Sequence, residues 1–452
     1  MSQDIWDAEQ SIETLRAMLA GVSGVDKYDI FVRRIGELEI RAKNQNLSEL
    51  RNESLCAASV RLQKGGDCVV ASSSDLSDAG LRALLSDARA LLRGAQSGPA
   101  KRIVTPEGVP IGMEYDGCFT DVSVDEKVSR VLNMCSNIVK NSERYPKDVK
   151  STYYEQKLEE WMWASGARSV LKHKSMWGNI TARALLEQTE GSRGFLSSEL
   201  KTQYFDLDWS GVSKSAAEGA ALIDNSRAPK SGTFRAIVDA PVATSLLQLL
   251  AKALRGDRVL KGRSFLEIDD LNRPLFSKAL NLVDDPERSS RSGYRFWDAE
   301  GGLTSKKVFI DEGRLVAFAF DNSAGWGEGF ESNMQAIRPR LSAHPHPGFH
   351  SLSIVPENKD VVDLRREMDD GLWLKTLDSL AMLQPGSGEY IATFSGAWVS
   401  KGDLQHGLTR IIVRGDLKTL FSKIVSVGRD MHWGEHFGAP SLLLSEIEVI
   451  GE

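Results

Sequence analysis

Residues Thr233-Phe-Arg-Ala-Ile-Val-Asp-Ala-Pro-Val-Ala-Thr-Ser-Leu-Leu-Gln-Leu-Leu-Ala-Lys-Ala-Leu-Arg-Gly-Asp257 read as a short strand running directly into a helix. The first seven are rich in β-branched and aromatic types, which suit a pleated, half-buried surface. From Asp239 onward strong helix formers follow, with Pro241 near the start, where a missing N–H costs nothing, and Gly256 at the close. Between its ends this helix carries no His, Glu or Cys. It therefore has no good zinc donor on any face: a leucine cannot coordinate, and a lysine is protonated at neutral pH and repels a cation.

Working outward, the carboxyl half is mostly β in character. Lys307 to Phe320 is a hairpin with Asp311-Glu312-Gly313 at its tip, and Tyr390 to Val399 with Leu408 to Val413 add further strands. On the amino side, Ser11 to Leu19 has helical spacing, and two strands follow, Tyr28 to Arg34 and Glu37 to Lys43, in which apolar and charged residues alternate. Leu55 to Leu62 and Asp67 to Ala71 are joined by the turn Lys64-Gly65-Gly66. Asp75 to Asp78 then cap a helix running to about Leu92, and a second helix spans Val124 to about Asn141. Leu158 to Trp163, Ser169 to His173 and Ile180 to Gln188 read as strands, and Ser215 to Ile223 as a helix.

The fold class is α+β: antiparallel sheet layers covered by helices in the amino part, then a mostly β carboxyl domain with one helix at residues 239–257. A chain of 452 residues exceeds one ordinary core. The boundary falls in Asn225-Ser-Arg-Ala-Pro-Lys-Ser-Gly232, giving domains 1–228 and 229–452, with a sub-boundary in the Gly/Pro/Ser-rich stretch near 94–110.

A net charge of −6 supplies no basic face, so no nucleic-acid partner is expected. The amino terminus lacks a basic region followed by an apolar one, and no apolar run reaches the ~18 residues of a membrane span, which makes the cytoplasm the expected location and leaves no role for a membrane. Cys56, Cys68, Cys118 and Cys135 show no C-x-x-C spacing and are expected as reduced thiols.

Several segments resemble, in their order, the TldD/PmbA family. These are Val70 to Asp78, Leu282-Val-Asp-Asp-Pro286, Phe296-Trp-Asp-Ala-Glu-Gly301, the hairpin carrying Asp311 to Leu315, Gly415 to Asp430, and Gly438-Ala-Pro-Ser-Leu-Leu-Leu444. Peptidase members of that family place His-Glu-x-x-x-His on the helix quoted above. Matching the Gly-Asp after that motif to Gly256 and Asp257 puts Leu247 and Lys252 at the two His positions and Gln248 at the position of the general-base Glu. Gln248 keeps the size of Glu but cannot take a proton from water. The TldD side also supplies a Cys ligand near the carboxyl end, and no Cys follows Cys135. A further departure is Gly388 to Trp398, which lacks the Arg of the family's Gly-Asp-Phe-Ser-Arg-Gly-like strand. The chain is thus similar to the PmbA (TldE) side.

The resemblance implies a non-catalytic subunit that binds no zinc itself. It also implies a heterodimer with a TldD-like catalytic subunit that carries the zinc, and an unfolded peptide as substrate, in general proteolysis or in leader removal from peptide natural products. Two other readings stand beside it. His432-Trp-Gly-Glu-His436 spells the His-x-x-Glu-His of a metal hydrolase, with Glu435 and His436 adjacent, but it lies between Gly428 and Gly438 in what reads as a glycine-punctuated loop. That loop is also the candidate lining of a substrate groove. The third reading is a regulatory binding protein of the gyrase-modulator kind.

Smaller signals have structural explanations. His344-Pro-His-Pro-Gly-Phe-His350 reads as an exposed connecting loop held extended by its prolines, Asp284-Asp285 before Pro286 as turn chemistry, and the Gly-x-x-Gly of Glu187 to Gly194 lacks a P-loop lysine. Trp161, Trp163, Trp177, Trp326, Trp373, Trp398 and Trp433 are expected mostly in the core, with one or two as partner anchors.

Overall fold

A computed structural model of the chain describes residues 8–95, 102–104, 113–114, 117–141, 149–166, 170–188, 191–223, 226–288, 292–325, 329–384 and 386–451. Trp326 and most of the 94–110 stretch lie outside the described residues.

The amino part is built on one sheet. Its elements in order are α1 (Ala8–Leu19), β1 (Lys27–Lys43), β2 (Asn46–Lys64), β3 (Asp67–Ser73), α2 (Asp78–Gly94), β4 (Met113–Glu114), α3 (Val124–Asn141), β5 (Val149–Ser165), β6 (Leu171–Gln188), β7 (Gly191–Lys201) and α4 (Trp209–Ile223). The strands lie in the order β3-β2-β1-β5-β6-β4, with β7 also paired to β6. Ser77 caps α2, its hydroxyl accepting a hydrogen bond from Gly80 N.

The two strands expected on either side of Ile35–Gly36 are one strand, β1. The reason is visible in what covers it. Its even-numbered residues Ile30 and Val32 face α1 and α2, while Leu38, Ile40 and Ala42 face α3 and α4. Arg34 and Gly36 fall between the two helix pairs, where no apolar side chain is required, and Arg34 meets Glu160 instead. β6 likewise merges two expected strands, and the Glu187 to Gly194 stretch, where described, belongs to the paired ends of β6 and β7. The odd-numbered face of β1 turns to the carboxyl half: Phe31, Trp161, Trp163 and Leu171 pack with Trp297.

From β8 (Gly232–Val238) the chain enters α5 (Ala240–Ala253), as the opening stretch requires. β8 pairs in parallel with Gly371–Met382 and antiparallel with Leu442–Ile450. Glu389–Ser400 and Asp403–Asp416 complete the sheet, and Asp403–Asp416 pairs back onto Leu442–Ile450, closing the strands into a ring. A second sheet runs through Lys307–Asp311, Leu282–Asp284, Leu352–Ile354 and Phe437–Ala439. α5 is buried against both, in the core that also takes Ala236, Val238, Leu352 and Ala439.

The hairpin before Leu315 turns at Gly313, where φ is +76° and a Cβ would stand 2.4 Å from the Phe276 carbonyl oxygen, so only glycine fits. Trp161, Trp163 and Trp177 are buried, and the four cysteines form no disulfide. Among the described residues no helix is long and apolar enough to cross a membrane.

Candidate functional site

The quoted helix is a regular α-helix, and its faces are sharply divided. Leu246, Leu247 and Leu250 are buried in the large carboxyl core, Leu247 completely, whereas Gln248 and Lys252 are exposed. Five residues at about 100° each place positions 247 and 252 roughly 140° apart around a regular helix. Leu247 and Lys252 therefore cannot converge on one ion whatever their chemistry. Neither supplies a zinc donor, and Gln248 has no basic oxygen to activate water. The residues at the family's motif positions do not suit the metal. Among the described residues no group of three or more His, Cys, Asp or Glu side chains is placed to hold one.

The stretch His432–His436 is not a free loop. His432–Trp433 and Phe437–Ala439 form a tight antiparallel hairpin, His432 opposite Ala439 and Trp433 opposite Gly438, closed by a 2.8 Å bond from Gly434 N to the Phe437 carbonyl. Gly438 is obligatory, because a Cβ there would stand 2.6 Å from the Trp433 indole. Phe437 continues into the second sheet beside Leu352. This hairpin lies along the outward side of α5. Thr244 Oγ1 is 3.2 Å from the His432 carbonyl oxygen, and a Cβ on Gly434 would be 3.9 Å from Gln248 Nε2. The two regions singled out by sequence, 188 residues apart at Thr244 and His432, are thus brought together.

The hairpin tip also reaches the amino sheet. Lys157 Nζ meets Glu435 Oε1 at 3.3 Å, and the Ser292 hydroxyl donates to the Glu435 carbonyl. His436 Nδ1 is 3.1 Å from the His350 carbonyl oxygen, and Leu352 N donates to the His436 carbonyl at 2.9 Å. Burial holds His432 down to about 4 and lowers His436, so both imidazoles are neutral at pH 7. His432, Glu435 and His436 share a hairpin, with Glu435 Oε1 3.9 Å from His436 Nε2, and Glu435 and His436 are further engaged by Lys157 and the His350 carbonyl respectively.

His350 corrects a second expectation. Far from an exposed connection, it is fully buried, with Nε2 3.1 Å from the Met334 carbonyl oxygen, and burial keeps it well below the usual imidazole range. Asp284 is buried as well, accepting from His350 N at 3.2 Å and from Ser351 N, so it anchors this segment rather than merely making a turn.

Behind the hairpin lies a charged seam that sequence reading missed. Burial pushes the Glu159 carboxyl upward, but Arg33, 2.8 Å away, and Arg295 more than offset this and hold it at about 2. His173, stacked on Trp161 at 5.1 Å between ring centres, is forced down to about 3, chiefly by burial and also by Arg295. Nearer the far end, Arg61 is buried between Asp29 and Glu300, with Arg61 Nη1 2.9 Å from Glu300 Oε1. Asp29, Arg33, Arg61, Glu159 and His173 sit on odd-numbered strand positions that look solvated in a sequence. Only the docking of the carboxyl half covers them.

In front of the hairpin is a groove of about 350 Å³, bounded by Ser198 and Leu200 of β7, Gly211 and Ser215 of α4, and His432 and Trp433. Among the described residues β7 pairs with β6 alone, so the groove runs beside a strand with an open edge.

This architecture is that of a known class. The model of the PmbA/TldA metallopeptidase C-terminal domain matches residues 231–451, and that of PmbA/TldA metallopeptidase domain 1 matches residues 28–92. The chain belongs to the PmbA/TldD metallopeptidase family. Within it the chain is PmbA-like. It is 25% identical over 211 residues to the metalloprotease PmbA of Escherichia coli O157:H7, covering 47% of this chain and 44% of that protein. It is 26% identical over 241 residues to a metalloprotease PmbA homolog of Buchnera aphidicola subsp. Baizongia pistaciae, covering 53% of this chain and 51% of the relative. The chain thus spans about half the length of the curated relatives it matches. TldE from Thermococcus kodakarensis superposes with a TM-score of 0.88 at 17% identity, over 98% of this chain and 100% of that one. A Thermotoga maritima chain solved as a candidate modulator of a DNA gyrase gives 0.87 at 22%, over 98% and 99%. At these identities the structural likeness is one of fold.

Proposed function

We propose that this chain is the non-catalytic subunit of a two-part, TldD/TldE-like zinc metallopeptidase acting on unfolded peptides. The zinc, its ligands and the general base then belong to a TldD-like partner, and this chain shapes and closes the chamber in which the peptide is held. The observation that carries the reading is the motif helix: its inward position is a core leucine, its outward positions are the exposed Gln248 and Lys252, and the hairpin stands beside Gln248 at Gly434. The open edge of β7 supports a role for main-chain pairing with an extended peptide, which gives affinity with little sequence selectivity. Orientation of the peptide and exclusion of water would come from this subunit, and bond cleavage from the other.

The test is reconstitution with a TldD-like partner. The mixture is expected to cleave unfolded peptides and to run as one assembly on size exclusion, while this chain alone cleaves nothing. His432→Ala in this chain is expected to lower turnover of the complex with assembly intact, because His432 borders the groove. Cleavage by the isolated chain, or a mixture no more active than the partner alone, would overturn the proposal.

A further inference from the structure

We propose a second binding site on this chain, at the carboxyl end of α5, that takes the free carboxylate of a peptide ending in an apolar residue. It rests on the reading that the chain holds peptides and names the end of the peptide that is gripped. The site is a cavity of about 240 Å³ whose walls include Leu249 and Lys252 of α5, Arg258, Arg263, Phe265 and Leu417. Among the described residues its charged lining is three cations, with no carboxylate.

The cations are left over by the local ion pairing. Arg255, in the same turn, is satisfied by both oxygens of Asp257, at 3.0 and 2.9 Å. Arg33 and Arg61, likewise half-buried or buried, are matched to Glu159, Asp29 and Glu300. Among the described residues Lys252, Arg258 and Arg263 have no such partner, and Arg258 Nε is buried without a hydrogen bond. A guanidinium nitrogen withdrawn from water and left unpaired is costly unless a ligand completes it. The fork of Arg258 and the neighbouring charges suit a carboxylate, which accepts two parallel hydrogen bonds.

The apolar part of the wall decides the rest of the ligand. Leu249, Phe265 and the buried Leu417 offer a surface that an inorganic anion would leave wet, whereas a C-terminal Leu or Phe places a side chain and a carboxylate within one residue of each other. The site also lies in the right place. Lys252 is one helical turn beyond Gln248, which stands beside the hairpin at Gly434, so a chain leaving the groove along α5 meets it next.

The experiment uses the full chain alone and a fluorescein-labelled Ala-Ala-Ala-Leu peptide, as free acid and as C-terminal amide, followed by fluorescence anisotropy. The acid is expected to bind at least tenfold more tightly than the amide. The double variant Lys252→Ala/Arg263→Ala changes two exposed side chains, and its folding is checked by its urea midpoint. It is expected to abolish the difference. Equal affinity of acid and amide, no binding of the acid at millimolar concentration, or a preference that survives in the double variant would each refute the site. So would decanoate or inorganic phosphate binding in place of the peptide acid, since that assigns the cations to a lipid carboxylate or a free anion. If the reconstituted complex cleaves peptides while acid and amide bind alike, this site fails and the subunit reading stands.

Discussion

Rebuilding the zinc motif on α5 by Leu247→His, Gln248→Glu and Lys252→His should damage the fold without creating a metal site. Leu247 has no exposed surface and lies in the largest core, so the cost falls almost wholly on that one change. Replacing it removes burial of an aliphatic side chain, about 1.5–3 kcal/mol. It also buries an imidazole whose polar nitrogens find no partner among leucines, about 1–3 kcal/mol more. Leu247→His is therefore expected to destabilise the chain by roughly 2.5–6 kcal/mol, a large part of the roughly 5–15 kcal/mol that holds a domain together. Gln248→Glu and Lys252→His are exposed and should each stay within about 0.5 kcal/mol of wild type. The triple variant should then match the single Leu247→His variant in its urea midpoint. Zinc added to it should leave that midpoint unchanged, because a ligand stabilises a protein only by binding its native state. A triple variant that is as stable as wild type, or whose midpoint rises with zinc, would show that positions 247 and 252 share a face and that the helix is not the regular one described.

Two further outcomes follow from the seam. His173 is nearly fully buried, with its pKa lowered from 6.5 to about 3, so its contribution is complete above the unfolded value and is lost as pH falls from 6.5 toward 3. At pH 5 that loss is about 2 kcal/mol, ~1.5 units below the unfolded pKa at 1.36 kcal/mol each. His173→Phe should remove this share of the fall in urea stability between pH 7 and pH 5, and an unchanged fall would refute the assignment. Glu300→Gln leaves buried Arg61 and Arg338 facing the single charge of Asp29, and should cost about 3 kcal/mol or more in chemical unfolding; a cost below about 0.5 kcal/mol would show that the seam is wet.

The sequence by itself determined most of the local elements and the lack of a zinc donor on the helix interior. The propensities of residues 233–257 specify a strand and a helix, and α3 begins and ends where its spacing says, because these signals act between residues a few positions apart. The lack of a metal donor at Leu247 and Lys252 follows from their functional groups and needs no coordinates. Tertiary structure alone decided which charges are buried. Arg33, Glu159 and His173 occupy strand positions that read as a wet face, and become a largely covered seam only because the carboxyl half, with Arg295, docks on that side of the amino sheet. The same holds for His350, buried despite its two prolines, and for His432–His436, a hairpin rather than a loop because Phe437 finds Leu352 across the second sheet. Such pairings join residues tens to hundreds of positions apart, and hydrophobic periodicity carries no record of which distant surface will cover a given face.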